Sequence, residues 1–194
     1  MVQIPRQIFY KLKQEVQFFS SFTDNELLLF LKLMTTESFK AGEVIFKEFD
    51  PGDKMFVLVK GQIKIRKRIG KKGGVLQETT LATLHPGECF GEIGLIDNRP
   101  RSAAAVCSQD ALLFSISLDK LLKIARNPQF AFLSFKLFRN FSLLLATRLR
   151  ESNQRVVDLT AKFSSGDALQ LGESAPAAEP EPAIAPQKPE DEHA

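Results

Sequence analysis

One segment of the 194-residue chain concentrates side chains able to do chemistry: Gly87-Glu88-Cys89-Phe90-Gly91-Glu92-Ile93-Gly94-Leu95-Ile96-Asp97-Asn98-Arg99-Pro100-Arg101-Ser102-Ala103. Gly91 and Gly94 flank Glu92, and glycine lets the backbone approach a ligand closely and present its N–H groups. If residues 91–97 turn as a short helix, its first N–H groups have no intrahelical partner and offer a seat for an anion. Arg101 follows a turn built from Asp97, Asn98 and Pro100, and a planar guanidinium bonds two phosphate oxygens at once. Ser102 adds a hydroxyl donor beside it. Glu92 would repel a phosphate, whereas a carboxylate accepts readily from sugar hydroxyls. A carboxylate and a guanidinium so placed fit a ligand with hydroxyls at one end and a phosphate at the other. The competing reading is an ordinary Glu92–Arg101 ion pair that stabilises a loop.

The elements around this segment are legible from their periodicity. Ile4, Ile8, Leu12 and Val16 recur at helical spacing, and Thr23-Asp24-Asn25-Glu26 fits a capping box ahead of an apolar run. Two helices are therefore expected over 5–34, meeting near Ser20–Thr23. From Glu37 to Ser117, short apolar or alternating runs are separated by Ala41-Gly42, Asp50-Pro51-Gly52-Asp53, Lys60-Gly61, Lys72-Gly73-Gly74 and His85-Pro86-Gly87. That spacing predicts an antiparallel β-roll or jelly roll of about eight strands, an α+β fold once the helices are counted. Ile63, Ile65 and Ile69 alternate with Lys64, Arg66 and Arg68, a strand with a basic outer face, and Gly73-Gly74 suits a hairpin tip. Asn127-Pro128 opens a long helix to about Leu159 that is apolar around much of its circumference. One side can pack on the roll and the other on a second copy, so a homodimer is expected. The organisation predicted is 1–36 helices, 37–117 roll, 118–163 C-terminal helices and 164–194 a disordered acidic tail.

The segment 87–103 closely resembles the phosphate-binding cassette of the cyclic nucleotide-binding domain, the module of catabolite activator protein and kinase regulatory subunits. Phe39-Lys40-Ala41-Gly42-Glu43-Val44-Ile45-Phe46, Asp50–Asp53, Val57–Gly61 and Leu81–Leu84 resemble the family's other motifs, in order, from about Val16 to about Leu159. The resemblance implies that Glu92 takes the ribose 2′-hydroxyl and that Arg101 pairs with the cyclic phosphate. It implies too that Gly91, Ser102 and the N–H groups of Ile93, Gly94 and Ala103 complete the cradle, with Ser152 and Asn153 reading the base. Phe49 stands where the family usually has glycine, so that turn adopts another shape or fills a neighbouring gap. Residues 127–146 are about seven longer than in the family, about 10 Å of helix, which could carry Ser152 and Asn153 beyond the base and leave Leu145 or Ala146 nearer. Ser102 could serve a phosphate oxygen or the amino group of guanine.

Composition bounds the rest. Seventeen phenylalanines against no tryptophan and one tyrosine, Tyr10, point to a core whose aromatics need no hydrogen-bond partner. Seven acidic residues and one lysine after Phe163 give that end −6, leaving +9 on the remainder of a chain of net charge +3. The basic body suits an anionic ligand or partner, and equally a solvated surface. Cys89 and Cys107 fit a reducing compartment as buried apolar side chains, and no secretory or membrane-spanning run is seen, so cytoplasmic placement is expected. His85 alone among residues 1–163 cannot make a metal site, and no catalytic set is present, so neither an enzyme nor a metal cofactor is expected. No helix-turn-helix pattern follows the long helix, and an acidic tail repels DNA. The expected role is a stand-alone sensor or adaptor that binds cAMP ahead of cGMP and acts on an unidentified protein partner. The alternatives are a ligand-independent interaction module and a divergent DNA-binding regulator.

Overall fold

A strand apolar at every position must be buried on both faces, and Met55-Phe56-Val57-Leu58-Val59 is such a run. In the computed structural model, which describes residues 5–72 and 75–164, this run opens strand β3 (Lys54–Lys72). Met55, Val57 and Val59 face a cluster shared with the helices, while Phe56 and Leu58 face a second cluster with Ile63, Leu84, Phe90 and Leu113. The remaining strands are β1 (Thr35–Phe39), β2 (Val44–Phe46), β4 (Val75–Leu84), β5 (Cys89–Phe90) and β6 (Ala104–Ser117). They form one antiparallel sheet in the order β1-β6-β3-β4, with β2 added on β6 and β5 on β3. Six strands make the roll because β3 and β6 run on through register shifts, each doing the work of two shorter strands.

One register shift changes which residues face inward. Ile63 is fully buried and Ile65 packs beside it, but the β3–β4 pairing slips at Arg68/Gly70 and Ile69 is exposed. The expected inward Ile69 is thus corrected, and Lys67 follows Ile63 and Ile65 at the two-residue spacing of that face. The Gly73-Gly74 tip and the segment 165–194 lie outside the described residues.

The helices form as their capping residues dictate. Helix α1 (Arg6–Glu15) and a 3₁₀ turn (Gln17–Phe19) lead to α2 (Asp24–Leu33). There the Glu26 N–H donates to Thr23 Oγ1 at 3.3 Å and the Thr23 N–H donates to Glu26 Oε2 at 2.7 Å, the full capping box. After β6 come α4 (Leu118–Ala125), a 3₁₀ turn at Pro128–Phe130 capped by Asn127, and α5 (Ala131–Ser164). The chain divides into two units, Met1–Arg148 and Leu149–Ala194.

In the first unit, α5 buries Leu133, Leu137 and Phe141 against the aromatic cluster of Phe18, Phe19, Phe22 and Phe30. Buried Asn140 donates to the Phe18 carbonyl at 2.7 Å and to Ser21 Oγ at 2.8 Å, which fixes the helix in rotation as well as position. In the second unit the described part is helical, with Leu149, Val156, Val157, Leu159 and Phe163 exposed. By length, and by a mean hydropathy of 1.2 over its most apolar 18 residues, the helix Pro128–Phe163 could cross a membrane, but Leu133, Leu137 and Phe141 show its first part in the role of a core helix.

The turn Lys47–Asp50 connects β2 to the segment that carries the candidate site. The Asp50 N–H donates to the Lys47 carbonyl at 3.2 Å and the Lys47 N–H to Asp50 Oδ2 at 2.7 Å. Its third residue, Phe49, has φ +74° and is 68% exposed. The turn therefore keeps a conformation that suits glycine and points the ring outward, correcting the expectation of a new shape or a filled gap. An L-residue at this φ costs roughly 1–2 kcal/mol, while glycine costs about 0.5–1 kcal/mol in chain entropy. Phe49→Gly is thus expected to leave urea-denaturation stability unchanged or to raise it by up to about 1 kcal/mol. A clear loss would show that the ring packs after all.

Candidate functional site

The short β5 ends at Phe90, and the chain reverses through Gly91 into α3 (Glu92–Asp97). Gly91 has φ +76°, and a Cβ there would lie 2.8 Å from Arg101 Nη1 and 3.0 Å from the Lys54 carbonyl oxygen, so only glycine fits. Helix α3 has no side-chain N-cap. It is held against the β2–β3 loop by contact of two glycines: a Cβ on Gly52 would come within 2.7 Å of Gly94 Cα. These close approaches bring residues 91–94, 50–53 and 99–103 into one cassette at the end of the roll.

Two charged side chains are buried in it. Arg101 is 4% exposed and Glu92 is fully buried. Arg101 Nη1 donates to the Gly91 carbonyl at 2.7 Å, and its guanidinium carbon lies 4.3 Å above the Phe46 ring centre and 5.9 Å from that of Phe56. Phe56 stacks on Phe90 and Phe46 packs tilted against both, so the cation rests on an aromatic floor. Arg101 Nε is buried without a hydrogen-bond partner among the described residues, as are both Glu92 carboxylate oxygens.

Glu92 and Arg101 make no salt bridge with each other. The cation beside Glu92 is Arg148 of α5, whose Nε lies 3.1 Å from Glu92 Oε1 and whose Nη2 donates to the Cys89 carbonyl. The Arg148 Nε–H is not aimed at the carboxylate, so the contact is Coulombic and leaves the acceptor capacity of Glu92 open.

Burial pushes the Glu92 carboxyl above its ordinary value, against the pull of Arg148 and Arg101. Burial likewise draws Arg101 below the usual guanidinium range, opposed by Asp53, Glu92 and Asp50. A buried charge with unpaired polar atoms is costly unless a partner arrives. The chemistry that would suit these groups is an anion at Arg101 and hydroxyl donors at Glu92. Burial also pushes the Cys89 thiol far up and that of Cys107 up to about 11, so both are thiols at neutral pH rather than reactive thiolates.

Residues 36–127 match the family described as Cyclic nucleotide-binding domain. These residues belong to that family. The chain is 34% identical over 137 residues to the cyclic AMP receptor protein of Thermus thermophilus, covering 70% of this chain and 58% of that protein. It is 30% identical over 129 residues to a CRP-like cAMP-activated global transcriptional regulator of Mycobacterium tuberculosis, covering 66% of this chain and 53% of that one. The chain thus spans just over half the length of these regulators. A cyclic nucleotide-binding domain from Methylobacillus flagellatus superposes with a TM-score of 0.68 at 26% identity, over 78% of this chain and 82% of that one.

Within the cyclic nucleotide-binding domain, Gly91, Glu92, Ile93 and Gly94 stand at the β5–α3 junction, and Arg101, Ser102 and Ala103 form the turn into β6. Ile93 and Ser102 are exposed, and Ala103 is buried. Leu145 and Ala146 are half-buried residues of the first unit, whereas Ser152 and Asn153 are exposed residues of the second. Sequence reasoning missed Arg148 and Phe46. Arg148 carried one signal: it is the first charge after an uncharged run from Asn140 to Thr147 on a helix expected to face the roll. Phe46 carried none, because its alternation marks it as core and nothing local says that a cation will sit on it.

Glu92 allows a direct test. Its folded-state pKa lies above the value of about 4.5 expected when unfolded, so its contribution to stability is full below that value and is lost as pH rises through the folded pKa. Glu92→Gln cannot ionise and escapes this loss. In thermal melts without ligand, the variant is expected to gain on the parent between pH 4 and pH 8. A constant difference across that range would mean that Glu92 titrates as an ordinary surface carboxylate.

Proposed function

We propose that the domain binds a 3′,5′-cyclic nucleotide, cAMP ahead of cGMP, with Arg101 and Ser102 on the cyclic phosphate and Glu92 on the ribose 2′-hydroxyl. The observation that carries this is the pair of buried, mutually unpaired charges. Arg101 is desolvated with no carboxylate salt bridge, and Glu92 is desolvated with both oxygens open. An anion with neighbouring hydroxyls offsets both costs at once, which neither a neutral nor a purely anionic ligand does. Gly91, Ile93, Gly94 and Ala103 supply the backbone of the cradle. The names of the two regulators above support cAMP over cGMP.

The remaining parts of the reading are regulatory. Exposed apolar residues recur along α5 at Phe135, Phe138, Leu149, Val156, Leu159 and Phe163, with Leu145 half-buried, on alternating three- and four-residue steps once Ser142 and Ser152 are counted. That heptad favours a homodimer through α5. Output through contact with another protein, Ser152 and Asn153 toward the base, and a reducing cytoplasmic setting complete the reading. The second reading, a ligand-independent interaction module, is favoured by the Arg148–Glu92 contact, since it supplies a countercharge from within the chain.

Calorimetric titration separates the two. The parent is expected to bind cAMP, and Arg101→Ala to lose binding by at least about a hundredfold, the loss of a charge-assisted pair with a buried anion. Glu92→Ala is expected to lose less, since neutral hydroxyls are its partners. No heat and no thermal shift with either cAMP or cGMP would hand the protein to the second reading.

A further inference from the structure

The turn that carries Arg101 and Ser102 is tied from outside by groups that no ligand needs to touch. The Arg101 carbonyl accepts from the Phe49 N–H at 2.9 Å, and the Arg101 N–H donates to the Asp50 carbonyl at 2.8 Å. The next carbonyl, that of Ser102, accepts from Lys67 Nζ at 2.6 Å. The Lys67 ammonium is itself held by Glu48 Oε1 at 3.0 Å. Glu48 is only 7% exposed, and its second oxygen accepts from the Arg68 N–H at 3.2 Å. Both Glu48 oxygens are thus committed, and the Lys67 hydrogen bond leads the groups that hold this carboxyl below its ordinary value.

Lys67 occupies the strand face on which Ile63 and Ile65 are core residues, where a third apolar side chain would be expected. A cation in that place needs a reason, and the Ser102 carbonyl is one.

We propose that Lys67, anchored by Glu48, is a positioning residue for the phosphate turn. A peptide group is planar, so holding its carbonyl fixes the direction of the N–H on the same plane. Phe49 holds the Arg101–Ser102 peptide and Lys67 holds the Ser102–Ala103 peptide. Together they set the Ser102 and Ala103 N–H groups before any ligand arrives. This rests on the reading of the turn as a phosphate seat, and it adds that the seat is preorganised by a buried-carboxylate brace some fifty residues earlier in the chain.

The test turns on opposite signs. Removing the negative charge of Glu48 near an anion site should tighten phosphate binding if charge alone matters. If Glu48 acts by anchoring Lys67, Glu48→Gln should weaken binding, because Lys67 and the Arg68 N–H meet different carboxylate oxygens and an amide sets an NH2 donor against one of them. In cAMP titrations, Glu48→Gln is expected to lose about threefold and Lys67→Met about tenfold, the scale of one hydrogen bond to a charged group. Lys67→Arg is expected to retain most of the affinity. Hydrogen exchange of residues 99–104 in the ligand-free protein is expected to quicken in Glu48→Gln and Lys67→Met and to stay slow in Lys67→Arg. Binding by Glu48→Gln as tight as the parent's, or tighter, overturns the proposal. If the parent binds neither cAMP nor cGMP, the ligand reading fails, and the exchange rates alone decide the brace: parent-like exchange in Glu48→Gln overturns it.

Discussion

The structure of the first unit is organised around the burial of Arg101 without a carboxylate to pair it. A guanidinium removed from water needs its charge spread and its donors met, and here the fold does both only in part. The Gly91 carbonyl takes one donor, the Phe46 and Phe56 rings offer their negative faces, and Asp50, Asp53 and Glu92 supply field rather than contact. Each condition constrains a distant part of the chain. Residue 91 must be glycine to let the guanidinium in. Gly52 and Gly94 must be small for the loop and α3 to close on each other. The aromatic floor requires β5 paired on β3, and β2 held on β6, beneath the turn. Glu92 adds a second desolvated charge of opposite sign, and its nearest countercharge comes from α5.

A site with such costs needs a firm scaffold, and phenylalanine supplies it. The rings of Phe18, Phe19, Phe22, Phe30 and Phe141 pack edge-on or tilted at 4.8–6.3 Å and leave no polar atom to satisfy. Polar groups enter the helical core sparingly and only in pairs. Asn140 is matched to Phe18 and Ser21, and Lys136 to Glu26 at 2.7 Å. These contacts fix the first part of α5, and with it the height at which Arg148 meets Glu92. The helix is thereby coupled to the site through Arg148, which meets Glu92 and the Cys89 carbonyl, and to the N-terminal helices through packing and these polar contacts.

How much of this was legible beforehand depends on how far along the chain each contact reaches. The Thr23–Glu26 capping box, the Asn127 cap, the strand and turn patterns of the roll and the neighbourhood of Glu92 and Arg101 are written in residues within about ten positions of one another, where type and spacing determine geometry. Lys67 on Ser102, Phe46 under Arg101 and Arg148 beside Glu92 join residues 35 to 56 positions apart, and no periodicity encodes them. Strand alternation also misled at Ile69, because it assumes an unbroken register and β3 slips against β4 at Arg68/Gly70. Lys67 lies before that slip, in phase with Ile63 and Ile65, but it counted as one basic residue among many on an outer strand. Phe49 was legible as a departure from glycine but not in its outcome. A sequence can show that a residue is unusual without showing whether the backbone or the side chain gives way.

Arg148 and ribose hydroxyls need not compete for Glu92, and counting lone pairs shows why. A carboxylate offers about four acceptor sites on two oxygens. Arg148 Nε stands at Oε1 without spending a hydrogen bond on it, and Oε2 is open. Hydroxyl donors could therefore join Arg148 at the carboxylate rather than replace it. They would hold Glu92 in its ionised form, and an ionised Glu92 attracts Arg148 more strongly than a protonated one. On that logic a ligand strengthens the tie between cassette and α5 by stabilising one charge state of a residue both already share. The size of the effect is limited by the differential affinity of the ligand for the two states. It is largest where Glu92 is otherwise reluctant to ionise, and burial makes it so. The desolvation that makes Glu92 costly would also let a neutral hydroxyl bonded to it act on a helix that the hydroxyl does not touch.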